Sequence, residues 1–84
     1  MKIVWDEPKR LANIKDHHLD FAELDQVFFE NALVLPSYNN RSRGIGKYHD
    51  GMIAVIFATL GTEAVSIISM RPASKKERQL YAEP

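Results

Sequence analysis

The spacing of apolar residues divides this chain into helical and extended stretches. Lys2-Ile3-Val4-Trp5 is a brief apolar run that predicts a short strand. Asp6, Glu7 and Pro8 follow. A carboxylate at Asp6 can accept a free backbone N–H, Glu7 suits the positive end of a helix, and Pro8 is harmless in a first turn. A helix is predicted from there, with Leu11 and Ile14 as a thin apolar stripe ending near His17-His18. Asp20-Phe21-Ala22-Glu23 has the form of a capping box. Phe21, Leu24, Val27 and Phe28 then recur at helical spacing, which predicts a second helix.

Asn31–Asn40 contains Pro36, Ser37, Asn39 and Asn40 and reads as a loop that could hold a short strand at Ala32–Leu35. Three strands are predicted next. Gly44–His49 is polar enough to be half exposed, and Asp50-Gly51 reads as a two-residue hairpin turn. Met52–Ala58 is almost wholly apolar, as a strand covered on both faces should be, and a turn near Leu60-Gly61 leads to Ala64–Met70. Pro72 breaks that run. Ser74-Lys75-Lys76-Glu77 is a second capping box, opening a final helix with Leu80 and Tyr81. The expected order is β-α-α-β-β-β-α, a small α+β fold on an antiparallel sheet. Trp5, Phe21, Leu24, Val55, Phe57, Ile67 and Ile68 are the expected core.

With 84 residues, a single domain over 1–84 is expected, and 45% hydrophobic with 26% charged residues is ordinary globular composition. The absence of cysteine excludes a disulfide framework, a CxxC redox site and a thiolate zinc site. No apolar run approaches the roughly 20 residues of a membrane span. The opening residues lack a signal-peptide pattern, so a cytoplasmic protein without membrane contact is expected. One core of this size leaves little stability margin, which makes a permanent partner a natural supplement.

Net charge is 0, but residues 1–35 carry four Lys/Arg against seven Asp/Glu, and residues 36–84 carry seven against four. The basic half could form a local anion patch. His17 and His18 are adjacent on a helix, so their rings diverge by roughly 100°. With His49 isolated on a strand and no HExxH, no metal site is expected. Glu23 and Asp25 read as a solvated helix face. No GxSxG elbow or complete phosphate-binding glycine motif exists, so conventional hydrolase and nucleotide sites are not expected. The remaining cations are Arg41, Arg43, Lys47, Arg71, Lys75, Lys76 and Arg78. Arg71 lies between a strand end and a helix N-terminus, a place that suits a phosphate. Tyr48 and Tyr81 could stack on unpaired bases. Equally, Lys75, Lys76 and Arg78 could be a wet helix face, and Tyr81 a core aromatic.

A resemblance adds to this. Trp5-Asp6-Glu7-Pro8-Lys9 with Asn13, then His17 and Asp20-Phe21, resembles the WDExK…N…H…DF opening of BrnT-type toxins. Arg41-Ser42-Arg43-Gly44-Ile45-Gly46 is similar to their central RxxxIG segment. Ile67-Ile68-Ser69-Met70-Arg71-Pro72-Ala73-Ser74, with Lys76-Glu77 and Tyr81, is similar to their closing IISxRxAxxxExxxY signature. The resemblance spans nearly the whole chain, in order. It departs from the usual pattern at Asp16-His17-His18, Asn40, Ser66 and Met70, with the loss of two cations.

This resemblance implies a ribonuclease toxin of a type II toxin–antitoxin pair, with a RelE-like fold and no cofactor. It also implies a ribbon-helix-helix antitoxin encoded by the adjacent gene, with operator DNA contacted only through the complex. In that reading RNA is cleaved without metal by attack of the 2′-OH, leaving a 2′,3′-cyclic phosphate. An arginine stabilises the developing charge while staying protonated. Arg71 is the expected ligand of the scissile phosphate and Arg41 a second clamp. His17 is the expected general acid or base, because histidine titrates near neutrality. Lys9, Arg43, Lys76 and Tyr81 are expected to bind RNA, and Glu77 is assigned to the capping box. The lost cations leave open an alternative, a weak or inactive homologue that only binds its antitoxin and represses the operon.

Overall fold

The computed structural model describes residues 1–83. The elements are β1 (Lys2–Trp5), α1 (Glu7–His17), a 3₁₀ turn (Phe21–Glu23), α2 (Gln26–Asn31), β2 (Leu33–Pro36), β3 (Ser42–Tyr48), β4 (Gly51–Leu60), β5 (Ala64–Pro72) and α3 (Lys75–Ala82). The strands form one sheet in the order β1-β5-β4-β3-β2. β2 to β5 are antiparallel neighbours, as expected, but β1 lies parallel to β5, from Lys2 opposite Ala64 to Trp5 opposite Ile67. The sheet is therefore mixed, not purely antiparallel. No tight turn joins the first strand to the last, so nothing local dictates the direction of that pair.

Other expectations shift for local reasons. The loop before Asn40 does contain a strand, which ends at Pro36 on the sheet edge, where a missing N–H is tolerated. The second helix is broken. Asp20 caps only the 3₁₀ turn, through Ala22 N–H, and Asp25 caps α2 by accepting from Phe28 N–H. The apparent box at Asp20–Glu23 is not closed, because the Glu23 carboxylate instead accepts from the Tyr48 hydroxyl. Val27 is consequently exposed. Asp6 occupies the N-cap position of α1 without a side-chain cap bond. The hairpin loop is His49-Asp50, with Gly51 already paired to Tyr48.

Successive burial of Ile53, Ala54 and Val55 shows that both faces of β4 are covered. On one face Phe21, Leu24, Phe28 and Phe29 pack over Ile53, Val55, Phe57, Val65, Ile67 and Met70. Gly44 and Gly46 make room for Phe28: a Cβ on Gly46 would stand 2.9 Å from its ring. The other face places Ile45, Ala54 and Arg71 in one cross-strand row, beneath the start of α3. Of the expected core, Trp5 and Ile68 are only half buried. Ile68 is the extra residue of a β-bulge, since Ile56 pairs with Ser69 and Phe57 with Ile67, so it drops out of the alternation.

The thin stripe of α1 is not its buried face. Leu11 is exposed, while Asn13 is 6% exposed. β1 covers the edge of β5 only as far as Ile67. Beyond it the Met70 N–H donates to Asn13 Oδ1 at 3.0 Å, and Asn13 Nδ2 donates to the Leu19 carbonyl at 2.9 Å. A buried side-chain amide thus completes the sheet edge.

Candidate functional site: an arginine pair on a buried carboxylate

The end of β5 and the start of α3 form the most strongly charged interior of the molecule. Ser74 Oγ accepts from Glu77 N–H at 3.1 Å, and Ser74 N–H donates to Glu77 Oε1 at 2.9 Å, which closes the expected capping box. This reciprocal pairing turns the Glu77 side chain back under the helix, where it is 3% exposed. Arg71 meets it with two parallel bonds, Nη1 to Oε1 at 2.7 Å and Nη2 to Oε2 at 2.9 Å. Arg43, on the same face of β3, adds Nη1 to Oε2 at 3.1 Å.

The Arg71 guanidinium, helped by Ser74 N–H and Arg43, holds the Glu77 carboxyl down at about 2, against the opposing effect of burial. Glu77 in turn raises Arg71 above its ordinary value. The trio therefore keeps one net positive charge. Among the described residues Arg71 keeps its Nε–H free for another acceptor, and the buried Arg43 Nε has no partner. Such an arrangement can bind one anion, oriented by rigid forks.

The other expected site residues lie apart from this trio. Arg41 is exposed in the turn before β3, where its carbonyl accepts from Ser37 N–H. His17 is exposed in the last turn of α1, and among the described residues no hydrogen bond or ion pair joins it to Arg41 or Arg71. Lys9 and Lys76 are exposed on the first turns of α1 and α3. Tyr81 is half buried, one turn beyond Glu77 on α3.

Tyr81 also lines a cleft of about 510 Å³, with Glu23, Asp25, Asn31, Lys47 and His49. Glu23 is here not part of a plain solvated face, and His49 is not isolated. The Tyr48 hydroxyl donates to Glu23, and the His49 Nε2 lies 3.7 Å from the same carboxylate oxygen. Burial, then Glu23, pushes the Tyr48 hydroxyl up to about 12, so it stays protonated. The walls of this cleft come from three separated segments, so no local pattern in the sequence marks it. Glu77 was legible as a cap, and its position six residues after Arg71 on a strand–helix corner was the signal for its second role. Among the described residues no three His, Asp or Glu groups are placed to hold a metal, and no helix is long and apolar enough to cross a membrane.

Fold and site together define a small α+β protein with a mixed five-stranded sheet and a buffered cationic centre. The family model described as ribonuclease toxin, BrnT, of type II toxin–antitoxin systems matches residues 5–77, and the chain belongs to that family. The chain is similar to the Brucella abortus ribonuclease toxin BrnT, known from a 1.1 Å crystal structure, with 53% identity and a TM-score of 0.83. The alignment covers 89% of this chain and 99% of the Brucella chain. A search of curated proteins finds no match.

Proposed function

We propose that the chain is an endoribonuclease that cleaves RNA without a divalent cation and is neutralised by a ribbon-helix-helix antitoxin from the adjacent gene. The observation that carries this reading is the Arg71–Glu77–Arg43 trio within the region matched to a ribonuclease toxin family. In the proposed reaction, which is RelE-like, the 2′-oxygen loses its proton and bonds to the adjacent phosphorus. The bond from phosphorus to the 5′-oxygen of the next nucleotide breaks, and that oxygen takes up a proton. The products are a 2′,3′-cyclic phosphate and a 5′-OH end, with no water consumed.

Arg71 holds a phosphate oxygen, and Arg43 supports the same charge from the neighbouring strand. Because Glu77 fixes the Arg71 guanidinium plane with two bonds and tethers Arg43 with one, little reorganisation is needed as negative charge develops. Arg41, two residues before Arg43, is the second clamp on the incoming chain. His17 carries a proton in this scheme by virtue of its motif position. Lys9, Lys76 and Tyr81 extend the RNA contact. Operator DNA is met only through the antitoxin complex, and the site of action is the cytoplasm.

The bidentate grip of Glu77 on Arg71 also favours a second reading, in which the pair is structural and the chain only binds its antitoxin. One experiment separates the two. Arg71→Ala should lower cleavage of a labelled single-stranded RNA by roughly 10²–10³, the effect of losing one transition-state donor. Arg78→Ala, at an exposed position of α3, should leave it within threefold. Circular dichroism and antitoxin pull-down accompany both variants. Intact RNA with the folded wild-type chain, and unimpaired growth of a host expressing it without the adjacent gene, would leave only the second reading.

A further inference from the structure

One wall of the cleft beside Tyr81 is main chain rather than side chain. Tyr48 and Gly51 flank the two-residue loop and face each other across the hairpin. Hydrogen-bonded and non-bonded pairs alternate along such a ladder, so the Lys47 N–H and C=O point away from β4. On that outer side β2 begins only at Leu33, opposite Ile45. The main chain of Lys47 is therefore an unpaired donor and acceptor on the free edge of β3, and among the described residues neither group has a partner.

Three further features gather there. The Glu23 Oε2 accepts from Tyr48 and lies near His49, while its Oε1 has no partner among the described residues. His49 holds φ at 54°, a left-handed conformation that glycine would adopt more easily, beside the Tyr48 ring at 4.5 Å. Tyr81 closes the cleft on the α3 side, about 6 Å along the helix from Glu77. Lys47 shares a face of β3 with Arg43, about 13 Å further along the strand. The cleft and the arginine trio are thus adjoining parts of one surface.

We infer that this cleft seats one unpaired nucleobase, read through an exocyclic amino group by the free Glu23 oxygen and through its ring edge by the Lys47 main chain. Tyr81 supplies an aromatic surface for the base, and Arg43 and Arg71 take a phosphate of the same strand. This rests on the ribonuclease reading and adds to it a base preference. Two carboxylates, Glu23 and Asp25, disfavour a phosphate inside the cleft but accept hydrogen bonds from amino groups. Cytosine, which carries an amino group where uracil carries a carbonyl oxygen, fits. Uracil does not.

The test is an amide-resolved NMR titration of the ¹⁵N-labelled full chain with CMP and, separately, UMP. CMP should shift the Lys47, His49 and Tyr81 amides in a saturable way, with affinity at least fivefold above UMP. Glu23→Gln, checked for an unchanged spectrum elsewhere, should bring the two nucleotides within twofold, because its amide can donate to the uracil oxygen. Equal binding of both nucleotides by the wild type overturns the amino-group reading. Shifts confined to Arg43 and Arg71 overturn the cleft itself. So does response of the Lys47 amide only to an added extended peptide, which would make the edge a protein-docking strand. CMP held in the cleft of a chain that cleaves no RNA removes the ribonuclease proposal and keeps this one. Cleavage without cleft binding does the reverse.

Discussion

Glu77→Gln is the most informative single change, because it removes a charge while keeping side-chain volume and an oxygen able to accept from Ser74 N–H. A carboxyl held at about 2 against its ordinary 4.5 contributes about 3 kcal/mol to folding at pH 7. The folded state binds this proton less tightly than the unfolded chain. The contribution is therefore complete above about pH 5, is lost as pH falls toward 2, and is below about 1 kcal/mol at pH 2. Removing one partner of a buried pair typically costs about 3–5 kcal/mol, and the half-exposed arginines place this case at the low end. Urea unfolding of both proteins, followed by tryptophan fluorescence at Trp5, should give a gap of about 3 kcal/mol at pH 7 that closes by pH 2. Parallel loss of stability by the two proteins between pH 5 and 2 would refute the assignment of this charge to the fold. The same variant speaks to function. If Glu77 aligns the arginines for catalysis, cleavage at pH 7 falls by at least tenfold in the folded variant; a rise would mean that Glu77 restrains them.

Asn13→Leu leaves the Met70 N–H without its acceptor at the end of β1. It should cost about 1–3 kcal/mol in urea unfolding, and less than about 0.5 kcal/mol would mean that the edge bond is dispensable. Gly46→Ala should destabilise by about 1–3 kcal/mol through contact with Phe28, and Phe28→Leu in the same chain should recover part of the loss. Cleavage should persist in EDTA, with RNA structure checked by melting; loss on chelation and return with magnesium would contradict arginine-only charge stabilisation. His17→Ala should lower RNA cleavage at least tenfold while leaving antitoxin binding unchanged. Unaltered cleavage would take His17 out of the reaction.

Local chemistry determined the parts of this molecule that neighbours in sequence can specify. The Ser74–Glu77 box, the strand run of Met52–Ala58 with its two buried faces, and the hairpin after Tyr48 are all short-range outcomes of propensity, periodicity and capping. The family was legible too, because its motifs are spread along the chain in order. Tertiary structure decided whatever depends on segments far apart. The parallel partnership of β1 with β5, the use of Asn13 in place of a strand, and the capture of Arg43 by Glu77 across 34 residues have no local signature. The bulge at Ile68 cannot be read from an unbroken Ile-Ile pair, and the bond from the Tyr48 hydroxyl to Glu23 joins residues 25 apart. The cleft at the β3 edge exists only because β2 begins opposite Ile45 while β3 continues to Tyr48. Hydrogen bonds and burial reward contacts in space, and only the folded chain determines which separated residues share that space.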